Sequence, residues 1–126
     1  MTTILVVDDY ETNTEILTAI LEMGGYKVLT AHDGRPALVM LANHAVDLVI
    51  TDDRMSNMNG FELANAIHTS ETLQHVPVML ISAYQYSQDF PQRMEQAGIS
   101  AFLPRPHTIE QLLSAVKALV NRPPDV

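Results

Sequence analysis

Apolar and polar positions fall into blocks along the chain. Ile4-Leu5-Val6-Val7, the run from Val46 to Ile50 broken only by Asp47, and Val78-Met79-Leu80-Ile81 are each of strand length. Runs of this kind form strands buried on both faces. The stretches between them space their apolar residues as helices do. The pattern predicts strand and helix alternating five times: strands over 3–7, 26–31, 46–50, 78–81 and 101–103, and helices over 11–23, 36–43, 61–69, 90–98 and 108–121.

Punctuation supports these boundaries. Gly24-Gly25 stops the first helix, and Asp33-Gly34 makes a turn before the second, which tolerates Pro36 in its first turn. Thr108 with Gln111 three residues on is a capping-box pattern. Pro104 and Pro106 suit an edge strand that needs no donor on its outer side. The predicted buried stripes are Ile16, Ala19, Ile20 and Met23 in the first helix and Ile109, Leu112, Leu113, Val116, Leu119 and Val120 in the last. The second helix is apolar nearly all round over 37–42, which predicts that most of it is covered. Strands joined by single helices imply an α/β fold: a parallel, right-handed, doubly wound sheet.

Candidate chemistry sits where the strands stop. Asp8-Asp9 follow the first strand, Asp52-Asp53 the third, Ser82 the fourth and Arg105 the fifth. An open α/β sheet binds ligands in the crevice beyond these carboxyl ends. Two carboxylates ~4 Å apart repel by ~4 kcal/mol at an effective dielectric near 20. Three ionised together need a divalent cation, or their pKa values rise. Carboxylate-only ligands select a hard ion, magnesium first and manganese second.

Composition narrows the field. A chain of 126 residues with 47% apolar content suits one domain, read here as 1–121 with 122–126 as a tail or the start of a linker. The net charge of −8 argues against nonspecific binding to nucleic acid or to an anionic membrane. With no cysteine, disulfides and thiolate chemistry are excluded. The opening MTTILVVDD has no basic region, and no run approaches membrane-spanning length, so the expectation is a cytoplasmic protein. The five histidines show no metal spacing and are read as surface residues, His107 lying nearest the site. Tyr84 and Tyr86, just past Ser82, are read as loop packing or as a shield for the site.

In order and spacing, VVDD, DLVITDDRMSNMNG, PVMLISA and FLPRP together resemble the receiver (response-regulator, CheY-like) domain of two-component signalling, over almost the whole chain. The resemblance implies a flavodoxin-like (βα)5 fold with strand order 2-1-3-4-5. It implies that Asp52 is the phosphoacceptor, with Met55 three and Gly60 eight residues on. By the same resemblance, Asp9, Asp52 and the backbone carbonyl of Arg54 ligate Mg2+ (or Mn2+), and Asp8 helps through water. Ser82 stands at the switch hydroxyl and Phe102 at the switch aromatic, while Asp53, Arg54 and Tyr84 border the acceptor. The implied partners are a histidine kinase or phosphotransfer protein upstream, and an output domain, target protein or second copy at the face of the fourth helix, fifth strand and fifth helix. Such a domain catalyses only its own phosphorylation and dephosphorylation in a phosphorelay.

Three positions depart from the family pattern. Arg105-Pro106 stands where the family has lysine-proline, and arginine offers a planar fork rather than a compact point charge. Ser56 replaces a loop proline and Asn59 an acid, changes that predict a freer, less charged loop. The arginine raises a second reading, a pseudo-receiver that binds partners without phosphoryl chemistry. A haloacid-dehalogenase-type hydrolase would want its catalytic acid two residues after a first-strand nucleophile, a spacing that Asp8-Asp9-Tyr10-Glu11 does not offer cleanly. A dinucleotide-binding enzyme would want a glycine-rich turn there.

Overall fold

A computed structural model describes residues 1–83 and 88–121. Its elements run β1 (Thr3–Val7), α1 (Glu11–Met23), β2 (Lys27–Ala31), α2 (Gly34–Asn43), β3 (Leu48–Thr51), α3 (Gly60–His68), β4 (Val78–Ser82), α4 (Phe90–Ala97), β5 (Ala101–Pro104) and α5 (Ile109–Val120). All strand pairs are parallel, in the order β2-β1-β3-β4-β5. The sheet is the doubly wound one that the alternation predicts.

Side chains alternate across a strand, so each central strand feeds two cores. Ile4 and Val6 of β1, Leu48 and Ile50 of β3, and Met79 and Ile81 of β4 pack with Leu17 and Leu21 of α1 and Leu112 and Val116 of α5. Leu5, Val7, Val49, Val78 and Leu80 face the other way, toward α2, α3 and α4. Every residue of β1, β3 and β4 is buried, whereas the edge strands β2 and β5 are only partly covered. Burying one large aliphatic side chain contributes roughly 1.5–3 kcal/mol. The central strands therefore form a stiff floor under the loops at their carboxyl ends.

The helices correct several expectations. In α1 the buried residues are Thr14, Leu17 and Leu21, with Ile20 partly covered, while Ile16 and Met23 are 54% and 82% exposed. Apolar residues occur on more than one side of this helix, so the 3.6-residue period fits two stripes. The buried stripe includes a threonine because its hydroxyl donates to the Glu11 carbonyl at 2.8 Å. Helix α2 starts at Gly34, with Asp33 as its N-cap, and fully buries only Gly34, Ala37 and Leu41; Val39 is exposed. Ile109 is likewise exposed at the start of α5, ahead of Leu112 and Val116. The Thr108–Gln111 capping box is present as predicted, and Asn59 with Glu62 forms a second one on α3. Among the described residues, no helix is long and apolar enough to cross a membrane.

Candidate functional site

Backbone hydrogen bonds carry the sheet one residue past its strand ends and so fix where the site side chains begin. The Asp8 N–H donates to the Ala31 carbonyl, the Asp52 N–H to Val7, and the Arg105 N–H to Ser82, at 3.0–3.1 Å. Three acids at the strand ends are thereby brought together. Asp8, Asp9 and Asp52 each offer a carboxylate oxygen, and these oxygens lie within 4.8 Å of one another. An all-oxygen donor set of this size suits a hard divalent cation.

The three acids differ in their surroundings. Asp8 is 1% exposed; its Oδ1 accepts from the Tyr10 N–H at 2.9 Å and its Oδ2 from Asn13 at 3.0 Å. Asp9 is exposed. Asp52 is partly buried, and its Oδ1 accepts the Asp53 N–H at 2.8 Å. Burial is the largest influence on Asp52 and raises its pKa; Asp8 and, less strongly, Asp9 push the same way. Arg105 and the Asp53 N–H oppose them without prevailing, so Asp52 holds its proton above the ordinary 3.8.

Arg105 spans two of the acids. Its Nη2 lies 3.1 Å from Asp8 Oδ2 and its Nη1 3.5 Å from Asp52 Oδ1. The better-formed contact is to Asp8, not to the candidate phosphoacceptor. The guanidinium reaches the two carboxylates through two nitrogens at fixed separation, where an ammonium would have to reach both from a single nitrogen. The Arg105-Pro106 peptide is cis. Ser82, 2% exposed at the end of β4, lies beside this segment through its carbonyl.

Phe102 sits on β5 opposite Leu80 and meets Phe90 of α4 edge to face, centroids 5.0 Å apart. Phe90 meets Phe61 of α3 in the same manner at 5.9 Å, and the Arg93 guanidinium covers Phe61 at 4.6 Å. The predicted switch aromatic thus belongs to an aromatic row reaching α3, next to Gly60. A side chain at Gly60 would collide with the Asp52 carbonyl and approach Leu80 to 3.0 Å. The Asp53 carbonyl accepts the Gly60 N–H at 2.8 Å, so the acceptor loop closes on itself. The Arg54 side chain is exposed. Tyr84 and Tyr86 lie outside the described residues. His107 has its Nδ1 3.3 Å from the Thr108 carbonyl, at the start of its own helix.

Two residues that the sequence reading passed over take part, with a third that it read only as a turn. Asn13 holds Asp8, while Asp33 and Asn57 bond to each other across the front of the acceptor loop. Asp33 was legible as an N-cap, since an acid before a helix start is the usual signal. Nothing in the chain order pairs it with a residue twenty-four positions on. A groove of about 820 Å³ lies at the opposite end of the sheet, lined by Val46, Asp47, Val76, Pro77 and Ser100 among others. Asp8, Asp9 and Asp52 are not on it.

The chain from residue 4 to residue 117 matches the family model of the response regulator receiver domain. It is 39% identical over 118 residues to the response regulator PleD of Caulobacter vibrioides, covering 94% of this chain but 26% of PleD, so it spans about a quarter of that relative. Among solved structures, it superposes on the receiver domain of a signal transduction histidine kinase from Syntrophus aciditrophicus with a TM-score of 0.89 at 30% identity, covering 100% of this chain and 97% of the other. The chemotaxis protein CheY4 of Vibrio cholerae gives a TM-score of 0.88 at 28% identity, over 94% of this chain and 98% of CheY4. Matching sequence, topology and strand-end acids agree: the chain belongs to the response regulator receiver domain family of two-component signalling.

Proposed function

We propose that this domain accepts a phosphoryl group on Asp52 from a histidine kinase or phosphotransfer protein. The observation that carries this reading is the convergence of Asp8, Asp9 and Asp52 with the Arg105 fork at the carboxyl end of the sheet. A carboxylate oxygen of Asp52 forms the new O–P bond as the N–P bond of the donor phosphohistidine breaks. The electron pair leaves on the imidazole nitrogen, which ends neutral or takes a proton from solvent. Asp9, Asp52, the Arg54 carbonyl and, through water, Asp8 would hold a magnesium or manganese ion, which offsets charge on the phosphoryl oxygens. Arg105 then turns from the carboxylates to the phosphoryl oxygens, and the Ser82 hydroxyl donates to one of them. Hydrolysis returns the Asp52 carboxylate and inorganic phosphate. The signal leaves through α4, β5 and α5, where Phe102 packs on Phe90; an output domain, a target protein or a second copy would dock there.

The Arg105 bridge favours a second reading. It occupies two of the three carboxylates that a cation would use, and a domain locked this way would bind its partner without phosphorylation. Intact mass after incubation with Mg2+ and acetyl phosphate separates the two. A phosphoryl adduct on the wild type that is absent in Asp52→Ala supports the phosphoacceptor. An adduct only on Arg105→Lys supports the locked module. No adduct on any of them rejects the first reading.

A further inference from the structure

Ser56 stands where the family's loop proline would stiffen the backbone, and the sequence predicts a freer loop. The structure supplies a restraint of another kind. Asp33, 8% exposed at the end of β2, accepts three N–H groups. Its Oδ1 takes the Gly34 N–H at 2.6 Å and the Met58 N–H at 3.0 Å, and its Oδ2 takes the Asn57 side-chain amide at 2.6 Å. One carboxylate therefore caps α2 and ties the β2–α2 turn to the β3–α3 loop. Contact is close throughout: a Cβ on Gly34 would lie 2.7 Å from the Met58 side chain.

We infer that Asp33 is a positioning residue for the cation and phosphoryl site, acting through the acceptor loop. This rests on the reading that the three strand-end acids hold a divalent cation. The loop runs from Asp52 to Asn59. Its start is set by the Asp53 N–H on Asp52 Oδ1, and its far part by Asp33. Arg54, whose carbonyl is the proposed non-carboxylate ligand, lies between these two attachments. A loop tied at both ends presents that carbonyl already in place. A loop tied at one end must be ordered when the cation binds, and that ordering opposes binding. Asp33 would thus do with hydrogen bonds what proline does elsewhere with a ring.

The test is Mg2+ affinity, measured by calorimetry on the whole chain, with the half-life of the Asp52 adduct as a second readout. Asp33→Asn replaces the acceptor facing the Asn57 amide with an N–H donor, so the charge-assisted bond is lost and re-forms only as a neutral one to a flipped Asn57 amide. It is expected to weaken Mg2+ binding about tenfold, in the range of losses when groups supporting metal ligands are removed. It also removes a negative charge, so Asn57→Ala is measured beside it. That change keeps every carboxylate and breaks one tie, and it is expected to weaken binding by a smaller factor. Combining Asp33→Asn with Asn57→Asp restores the charge and lets the new amide donate to the new carboxylate, while its oxygen still accepts from Gly34 and Met58; affinity is expected to return. If the wild type binds Mg2+, Asn57→Ala matches it and the double variant also returns to it, the effect is charge alone and the positioning role is overturned. If the wild type binds no Mg2+, the cation reading itself fails.

Discussion

Two aspartates flank the acceptor loop, and their pKa values move in opposite directions. Asp33 is buried and Asp52 partly buried, and in each case burial is the largest influence and pushes the pKa up. At Asp33 the Asn57, Gly34 and Met58 donors together outweigh burial and hold the carboxyl below its ordinary value. At Asp52 one N–H and a guanidinium at 3.5 Å face burial plus the neighbouring acids, and the pKa stays raised. Burial alone therefore does not say what a carboxylate is for. A group whose oxygens are all satisfied is an anchor; a group left short of donors among other acids is ready to take a cation or an electrophile.

The sharpest way to break the reactive end is through its backbone. Gly60→Ala would push a methyl group into the Asp52 carbonyl and against Leu80 and the Asp53 Cα. Backbone on both sides of that contact cannot step aside, so the variant should lose about 3 kcal/mol of stability in urea unfolding. An unchanged midpoint would show that the loop and α3 can separate freely. Next in size is Arg105→Ala. Asp8 keeps its bonds to Tyr10 and Asn13 but loses its cation while 1% exposed, and truncating one partner of such a pair should cost about 2 kcal/mol in EDTA. Mg2+ should restore much of that loss, because the freed carboxylates then have a cation to hold. If Mg2+ restores nothing, Arg105 and the metal do not share the acids.

The anchor end should give way more gently. Gly34→Ala meets the Met58 side chain from Cβ to sulfur at 2.7 Å rather than a carbonyl; the thioether end repacks readily, whereas the Cβ moves only with the loop backbone. A loss of about 1 kcal/mol is expected, part of it offset by alanine's better helix propensity. A loss as large as that of Gly60→Ala would mean that the two ends of the loop are equally rigid.

These contrasts mark what the sequence could carry. The order of strands and helices was legible because each central strand is a short apolar run, and the site was legible because each run stops at a polar residue. The edge assignment of β5 followed from its prolines. Helix faces were harder: Ile16 and Leu17 are adjacent and both apolar, and only the position of the sheet decides that Leu17 is the one buried. The identity of Arg105 announced a changed site but not its geometry, since its nearer partner is Asp8. Asp33 was least legible, because its partners Asn57 and Met58 reach it only through the fold.

The smallest expected effect tests the comparison most directly, by titrating both aspartates against stability without metal. Asp33 has a folded pKa below its unfolded value of about 3.8, so its contribution is present above that value and is lost as pH falls through the folded pKa. Asp52 has a folded pKa above its unfolded value, so its favourable contribution is present below 3.8 and is lost as pH rises through the folded pKa. Asp33→Asn should therefore be less stable than the wild type at neutral pH, with the gap narrowing in acid. Asp52→Asn should match the wild type more closely in acid and gain on it as the pH rises, since it removes a carboxylate that the fold ionises reluctantly. Urea unfolding in EDTA between about pH 3 and pH 7 gives two difference curves, and they should have opposite signs at neutral pH. Curves of the same sign would mean that the Arg105 bridge satisfies Asp52 as fully as three N–H groups satisfy Asp33. The acceptor would then be a second anchor, and the locked reading of the domain would gain.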